Sequence, residues 1–94
     1  MIAGNELAQY VLRTIYQKDS VQGVNLESKF RERDALNTGQ VKRVEFLQVL
    51  EESVRELERW QIQNFVEMLV PPSDNIVNYS DFMRILYKFG EPQL

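Results

Sequence analysis

The sequence predicts an all-α fold of two similar helix–loop–helix units, with one extra helix at the amino terminus. Two observations lead to this prediction. Apolar residues recur at the i, i+3, i+4 spacing of amphipathic helices along most of the chain. Residues 34–45 and residues 70–81, together with their apolar flanks, repeat each other at a fixed offset of 36 positions. A repeat of this length indicates one supersecondary unit used twice.

The first predicted helix covers residues 1–20 and ends before Gly23, which breaks the helical pattern. Its apolar stripe consists of Leu7, Tyr10, Val11 and Ile15. A short second helix follows Asn25, whose side chain suits an N-cap, and turns Leu26 and Phe30 toward the core. The stripe of the first helix is too apolar to leave in water, so this helix must pack on the rest of its own chain, on a second copy or on another protein. Our hypothesis is that it docks on the two paired units.

Three further helices complete the prediction. The third begins at about Arg43, the fourth is stopped by Pro71, and the fifth ends at Gly90. The only strand-like material is one short segment in each repeated loop, around Val41 and Val77. The residues predicted to face the core from these helices are Phe46, Val49, Leu50, Ile62, Phe65, Val66, Leu69, Phe82, Ile85, Leu86 and Phe89.

Composition limits the function. The 94 residues, 44% hydrophobic and 27% charged, are enough for one globular core. The sequence has no histidine and no cysteine, so it lacks disulfides, thiolate metal ligands and the commonest general base. A net charge of -3 disfavours nucleic acid as a partner, and no apolar window is long enough to span a bilayer. We therefore expect a cytoplasmic protein without a membrane partner.

The repeated loops have the spacing of a known metal-binding loop. In residues 34–45, Asp34 is first, Gly39 is sixth and Glu45 is last. With these loops and their flanks, about two thirds of the chain, the sequence resembles the EF-hand superfamily, which includes calmodulin, troponin C and the myosin light chains. The resemblance implies that two EF-hands pair, with Val41 and Val77 forming the bridge between their loops. It divides the chain into an N-terminal amphipathic helix, residues 1–20, and a paired EF-hand-like domain, residues 21–94.

Most of the calcium ligands of that family are missing. The candidates that remain, all in the first loop, are Asp34, Thr38, the Gln40 carbonyl and Glu45. Leu36 replaces an oxygen ligand, and Lys42 adds an opposing positive charge. In the second loop Val70 and Pro72 stand at the first and third ligand positions. We expect no calcium in the second loop, at most weak calcium binding in the first, and no other cofactor.

No catalytic constellation is visible, because no nucleophile has a histidine or cysteine beside it and no glycine-rich phosphate loop occurs. The leading hypothesis is a non-enzymatic, largely calcium-independent adaptor that grips an amphipathic helix of a protein partner. This follows from the resemblance to myosin light chains, several of which keep the fold with inactive loops, and that association also suggests a cytoskeletal or ciliary setting. The candidate partner-binding residues are Leu7, Tyr10, Val11, Ile15 and Trp60.

Two alternatives stay open. The first is a calcium-binding switch that works through residues 34–45 alone, which Asp34 and Glu45 favour and Leu36 opposes. The second is a structural or self-associating domain in which the first helix fills the groove and leaves no room for a ligand.

Overall fold

The structure, a computed structural model, describes residues 3–90. It is mostly helical with one two-stranded antiparallel sheet, so the predicted class is confirmed in that form. Residues 1–2 and 91–94 of the predicted segments lie outside the described residues. In chain order the elements are α1 (Ala3–Tyr16), a single π-helical turn (Gln17–Val21), α2 (Leu26–Glu32), β1 (Gln40–Lys42), α3 (Arg43–Ser53), α4 (Arg59–Leu69), β2 (Ile76–Asn78) and α5 (Tyr79–Phe89).

The connection from α1 to α2 is fixed by polar side chains. The carboxylate of Asp19, which is buried, accepts a hydrogen bond of 2.7 Å from the Leu26 N–H at the start of α2. Asn25 is the N-cap of α2, as predicted, and accepts a hydrogen bond from the Ser28 N–H. Gly23 has a φ of 77°, which a residue without a Cβ adopts at little cost. These contacts set the direction in which α2 leaves α1.

The two loops meet in the antiparallel sheet. Val41 lies opposite Val77, and the flanking pairs are Gln40 with Asn78 and Lys42 with Ile76. In each strand the central valine is buried and its two neighbours are exposed, because successive side chains of a strand point to opposite faces. The predicted bridge between the two valines is confirmed.

One hydrophobic cluster joins both helix–loop–helix units. At its centre the ring of Phe30 stacks on that of Phe46, with centroids 5.0 Å apart. Phe82 meets Phe46 edge to face at 5.1 Å, and Phe65 meets Phe82 in the same way at 6.1 Å. Because these aromatic contacts connect α2, α3, α4 and α5, neither unit has a separate core.

The first helix belongs to the same cluster. It packs against α4 and α5, and the side chains of Val11 and Ile15 are 0% exposed. Lys18 lies 2.8 Å from the carboxylate of Glu56, at the turn between α3 and α4. The hydrogen bond from Lys18 holds the pKa of Glu56 below its ordinary value. The expectation that α1 docks on its own chain is confirmed.

One core residue of α5 was predicted wrongly. Ile85 is exposed, while Tyr79 and Met83 are buried beside Phe82 and Leu86. The buried positions follow an i, i+3, i+4, i+7 stripe that starts at the first residue of the helix. The buried face of α5 therefore includes Tyr79, and Ile85 lies outside that face.

Candidate functional site

The first loop, residues 34–45, closes around the carboxylate of Asp34. One oxygen accepts hydrogen bonds from the N–H and hydroxyl of Thr38, at 3.0 and 3.1 Å. The other accepts from the N–H of Gly39 at 2.7 Å and from the hydroxyl of Tyr79 at 2.8 Å. These hydrogen bonds, led by that from the Thr38 N–H, lower the pKa of Asp34 from 3.8 to about 2. Protein donors thus hold the first loop in place.

In the second loop, residues 70–81, backbone carbonyls surround the positively charged side chain of Arg43. The guanidinium of Arg43 donates hydrogen bonds to three backbone carbonyls of this loop: to Pro71 at 2.9 Å, to Asp74 at 3.0 Å and to Val70 at 3.3 Å. The fork of donors in arginine suits this arrangement, since a lysine presents only a point charge.

The two contacts are reciprocal. Arg43 and Tyr79 occupy the same position of the repeat, the tenth residue of their loops, and each is the first residue of the helix that follows. Each side chain reaches across the sheet and holds the opposite loop. Backbone hydrogen bonds follow the same pattern, from Arg43 N–H to Asn75 and from Ser80 N–H to Gly39. Each loop is therefore held by hydrogen bonds from the other.

The predicted ligands of the first loop do not fit calcium. Asp34 already accepts four hydrogen bonds, and Leu36, at the third ligand position, is 85% exposed and offers no oxygen. Lys42 and Glu45 line the same depression as Asp34, so a cation would meet a positive charge there. Within residues 3–90 no group of three or more acidic side chains gathers as a metal site. Thr38 donates to Asp34, and Gln40 lies in β1.

The predicted partner-binding residues are in different environments. Val11 and Ile15 lie in the core between α1 and the helices α4 and α5, and Leu7 is half-buried against the same core. Tyr10 is exposed, and so is Trp60 at the start of α4. Of these five side chains, only the two aromatic ones are available at the surface in this conformation.

Sequence reasoning missed the role of Tyr79 and identified Arg43 only as the start of the third helix. Both could have been found by comparing the two loops position by position, because a long polar side chain stands at the same place in each. A comparison of the loops does not show that each side chain reaches the opposite loop. That contact depends on the geometry of the sheet, in which Val41 lies opposite Val77.

Comparison of the chain with protein-family models, with curated proteins and with solved structures gives no match. Among the helices of residues 3–90, none has the length and apolar character required to cross a membrane.

Proposed function

We propose that the protein is a non-enzymatic interaction module of two EF-hand-like units, which binds an amphipathic helix of a protein partner independently of calcium. The proposal rests on one observation, the position of α1 in the fold. An amphipathic helix of this chain lies against α4 and α5, with Val11 and Ile15 fully buried. The face formed by α4 and α5 therefore has the shape and polarity that helix-in-groove binding requires.

Calcium independence is supported by the loops. In a calcium switch the ion holds each loop closed, and its removal changes the angle between the helices. Here Tyr79 and Arg43 already hold the two loops, through Asp34 and through the backbone carbonyls of residues 70–74. A calcium switch therefore has no support in this ligand set.

A partner helix can bind the face of α4 and α5 only after α1 has left it. Burial of Val11 and Ile15 stabilises the docked helix by about 1.5–3 kcal/mol for each side chain. The Lys18 to Glu56 ion pair adds little, because the Glu56 side chain is 47% exposed. A partner with larger apolar groups at the same spacing competes with α1, although α1 has the advantage of being covalently tethered. A cytoskeletal or ciliary setting follows from the EF-hand resemblance alone.

The test is to release α1 from its tether in the full chain. Gly23 lies in the exposed connection between α1 and α2, so a protease site can be inserted next to it. After cleavage, a fluorescent peptide with the sequence of α1 is added, and its anisotropy is followed. We expect the peptide to replace the cleaved helix, and a peptide with Val11 and Ile15 changed to serine to fail.

The outcome separates the hypotheses. Exchange with the α1 peptide and with unrelated amphipathic helices supports a groove for partner helices. Exchange with α1 alone, accompanied by dimers of the uncut chain in light scattering, supports a self-associating domain instead. If the cleaved pieces never exchange with any helix, α1 is a permanent part of the core and the proposed function fails.

A further inference from the structure

A second surface lies on the loop side of the molecule. A depression of about 500 Å³ opens there between β1, β2 and the first turns of α3. We refer to it as the loop-face depression. It is lined by Lys42, Arg43, Val44, Leu47, Asn75 and Ile76. None of these residues belongs to α1, α4 or α5, so the depression is separate from the face on which α1 lies.

The lining of the loop-face depression includes large apolar side chains that are exposed. Val44 is 54% exposed and Ile76 is 49% exposed. Leu36, 85% exposed, lies in an adjoining depression that shares Lys42 and Ile76 with the first. Single apolar residues are common on protein surfaces, but a contiguous patch marks an interaction site. Three large aliphatic side chains therefore remain in water at this face.

The charge of the loop-face depression is opposite to that of the whole chain. The chain has a net charge of -3, whereas the six lining residues include Lys42 and Arg43 and no carboxylate. Within residues 3–90, Lys42 makes no ion pair, and Arg43 is held only by neutral carbonyls. The acidic residues of the adjoining depression are Glu45 and Asp34, and the Asp34 carboxylate accepts four hydrogen bonds. The positive charge of the two basic side chains is thus not compensated inside the loop-face depression.

We propose that the loop-face depression binds a short acidic segment of a protein partner. An apolar side chain of the segment packs against Val44, Leu47 and Ile76, and its carboxylates face Lys42 and Arg43. Arg43 is already fixed by three hydrogen bonds, so little side-chain entropy is lost when a carboxylate approaches it. Two basic residues are too few for an anionic membrane surface, which attracts clusters of four to eight. A protein segment that combines carboxylates with apolar groups matches both properties of the site.

The test uses the full chain and two pools of short synthetic peptides. One pool combines Asp and Glu with Leu, Ile and Phe, and the other replaces the acidic residues by Lys and Arg. Amide spectra of the labelled protein locate the binding site. We expect only the acidic pool to shift the signals of residues 42–47 and 75–76, with weaker binding at higher salt concentration.

Four variants give matched comparisons. Lys42→Glu should weaken binding of the acidic pool by about tenfold or more, while Lys88→Glu, the same change of charge on α5, should leave it unchanged. Val44→Asp should abolish binding, while Val21→Asp, at another exposed valine, should not. Amide spectra of all four variants show whether each is folded, and Lys42→Glu alters only an exposed side chain.

Several results would overturn the proposal. Equal weakening by Lys42→Glu and Lys88→Glu would show that only net charge matters. Shifts confined to α1, α4 and α5 would assign the peptides to the helix groove. Self-association that Val44→Asp removes would make the face a contact between two copies, and binding to phosphatidylserine vesicles but not to the acidic peptides would make it a membrane contact. The proposed function is tested separately by the exchange of α1 after cleavage, so failure of the loop-face proposal leaves that test intact.

Discussion

Asp34 has the residue identity of a metal ligand, but in this protein it is a hydrogen-bond acceptor within the fold. Its carboxylate receives donors from its own loop through Thr38 and Gly39, and one from the opposite loop through Tyr79. Burial of Tyr79, followed by its hydrogen bond to Asp34 and the charge of that carboxylate, raises the pKa of the phenol, so its proton stays on the oxygen at neutral pH. The pair is therefore a charged acceptor with a neutral donor.

This arrangement predicts a pH dependence of stability. The pKa of Asp34 is about 2 in the folded protein against an ordinary value of 3.8. A lowered folded pKa stabilises the fold fully above the unfolded value, and this contribution is lost as pH falls from 3.8 toward 2. We expect Asp34→Asn to be less stable than the wild type at neutral pH, and the difference to shrink within that window. Urea unfolding of both proteins across this pH range measures the difference, and a constant difference would contradict the prediction.

Arg43 gives a second prediction at the residue scale. Arg43→Met keeps much of the aliphatic side chain but removes the donors to Val70, Pro71 and Asp74. Because these carbonyls are near solvent, water replaces the lost bonds, and the main effect should be local. We expect faster amide hydrogen exchange in residues 70–78 with little change in the rest of the chain. The matched control is Arg84→Met, since among residues 3–90 Arg84 pairs only with Asp81 on its own helix. Equal exchange in both variants would show that Arg43 does not hold the loop.

At the scale of elements, the two-strand sheet holds the two units together. Val41 and Val77 are buried neighbours across it, so truncation of either removes apolar contacts that no other residue replaces. We expect Val41→Ala or Val77→Ala to lower the free energy of unfolding by about 1–2 kcal/mol. Val44→Ala, at an exposed position of α3, is the control and should change stability little. Chemical denaturation measures the free energy of unfolding of all three variants. Equal losses at the buried and exposed positions would show that the sheet does not stabilise the fold.

The ends of α1 and α5 provide a steric prediction. A Cβ on Gly90 would overlap the ring of Tyr16, so these residues fit together only because position 90 has no side chain. Gly90→Ala should push the end of α1 away from α5 and lower the melting temperature. If overlap is the cause, Tyr16→Leu should be less harmful in the Gly90→Ala background than alone, which a double-mutant cycle measures. Additive effects of the two changes would contradict a steric origin.

The helices and strands show which features of the fold can be predicted from the sequence and which cannot. Local patterns located the helices, the Asn25 cap and the Val41 to Val77 bridge, because each depends on spacing within a short segment. The apolar spacing that starts at Phe82 predicts a buried Ile85, but the buried stripe of α5 starts at Tyr79 and leaves Ile85 exposed. Cross-loop contacts and the loop-face depression depend on residues distant in sequence, and these the patterns do not reveal.

For the whole molecule, the proposed function requires one part of the fold to stay in place while α1 exchanges with a partner helix. The sheet, the reciprocal loop contacts and the aromatic cluster join α2, α3, α4 and α5. The helix α1 is held by apolar contacts, by the fit of Tyr16 against Gly90 and by one partly exposed ion pair, and a glycine-containing connection follows it. If the molecule changes conformation when a partner binds, α1 is the helix that can leave without breaking the sheet, the reciprocal loop contacts or the aromatic cluster.

A calcium titration tests the fixed part as a whole. A metal that binds only the folded state raises its stability by mass action in proportion to the logarithm of ligand concentration over the dissociation constant. Because the first loop lacks an oxygen at Leu36 and Asp34 already accepts four hydrogen bonds, we expect calcium at about 1 mM to leave the melting temperature unchanged relative to magnesium or a chelator. Calorimetry with each addition measures this. A calcium-specific rise of several degrees that Glu45→Gln abolishes would instead show that the first loop can open its internal hydrogen bonds and rebuild itself around the ion.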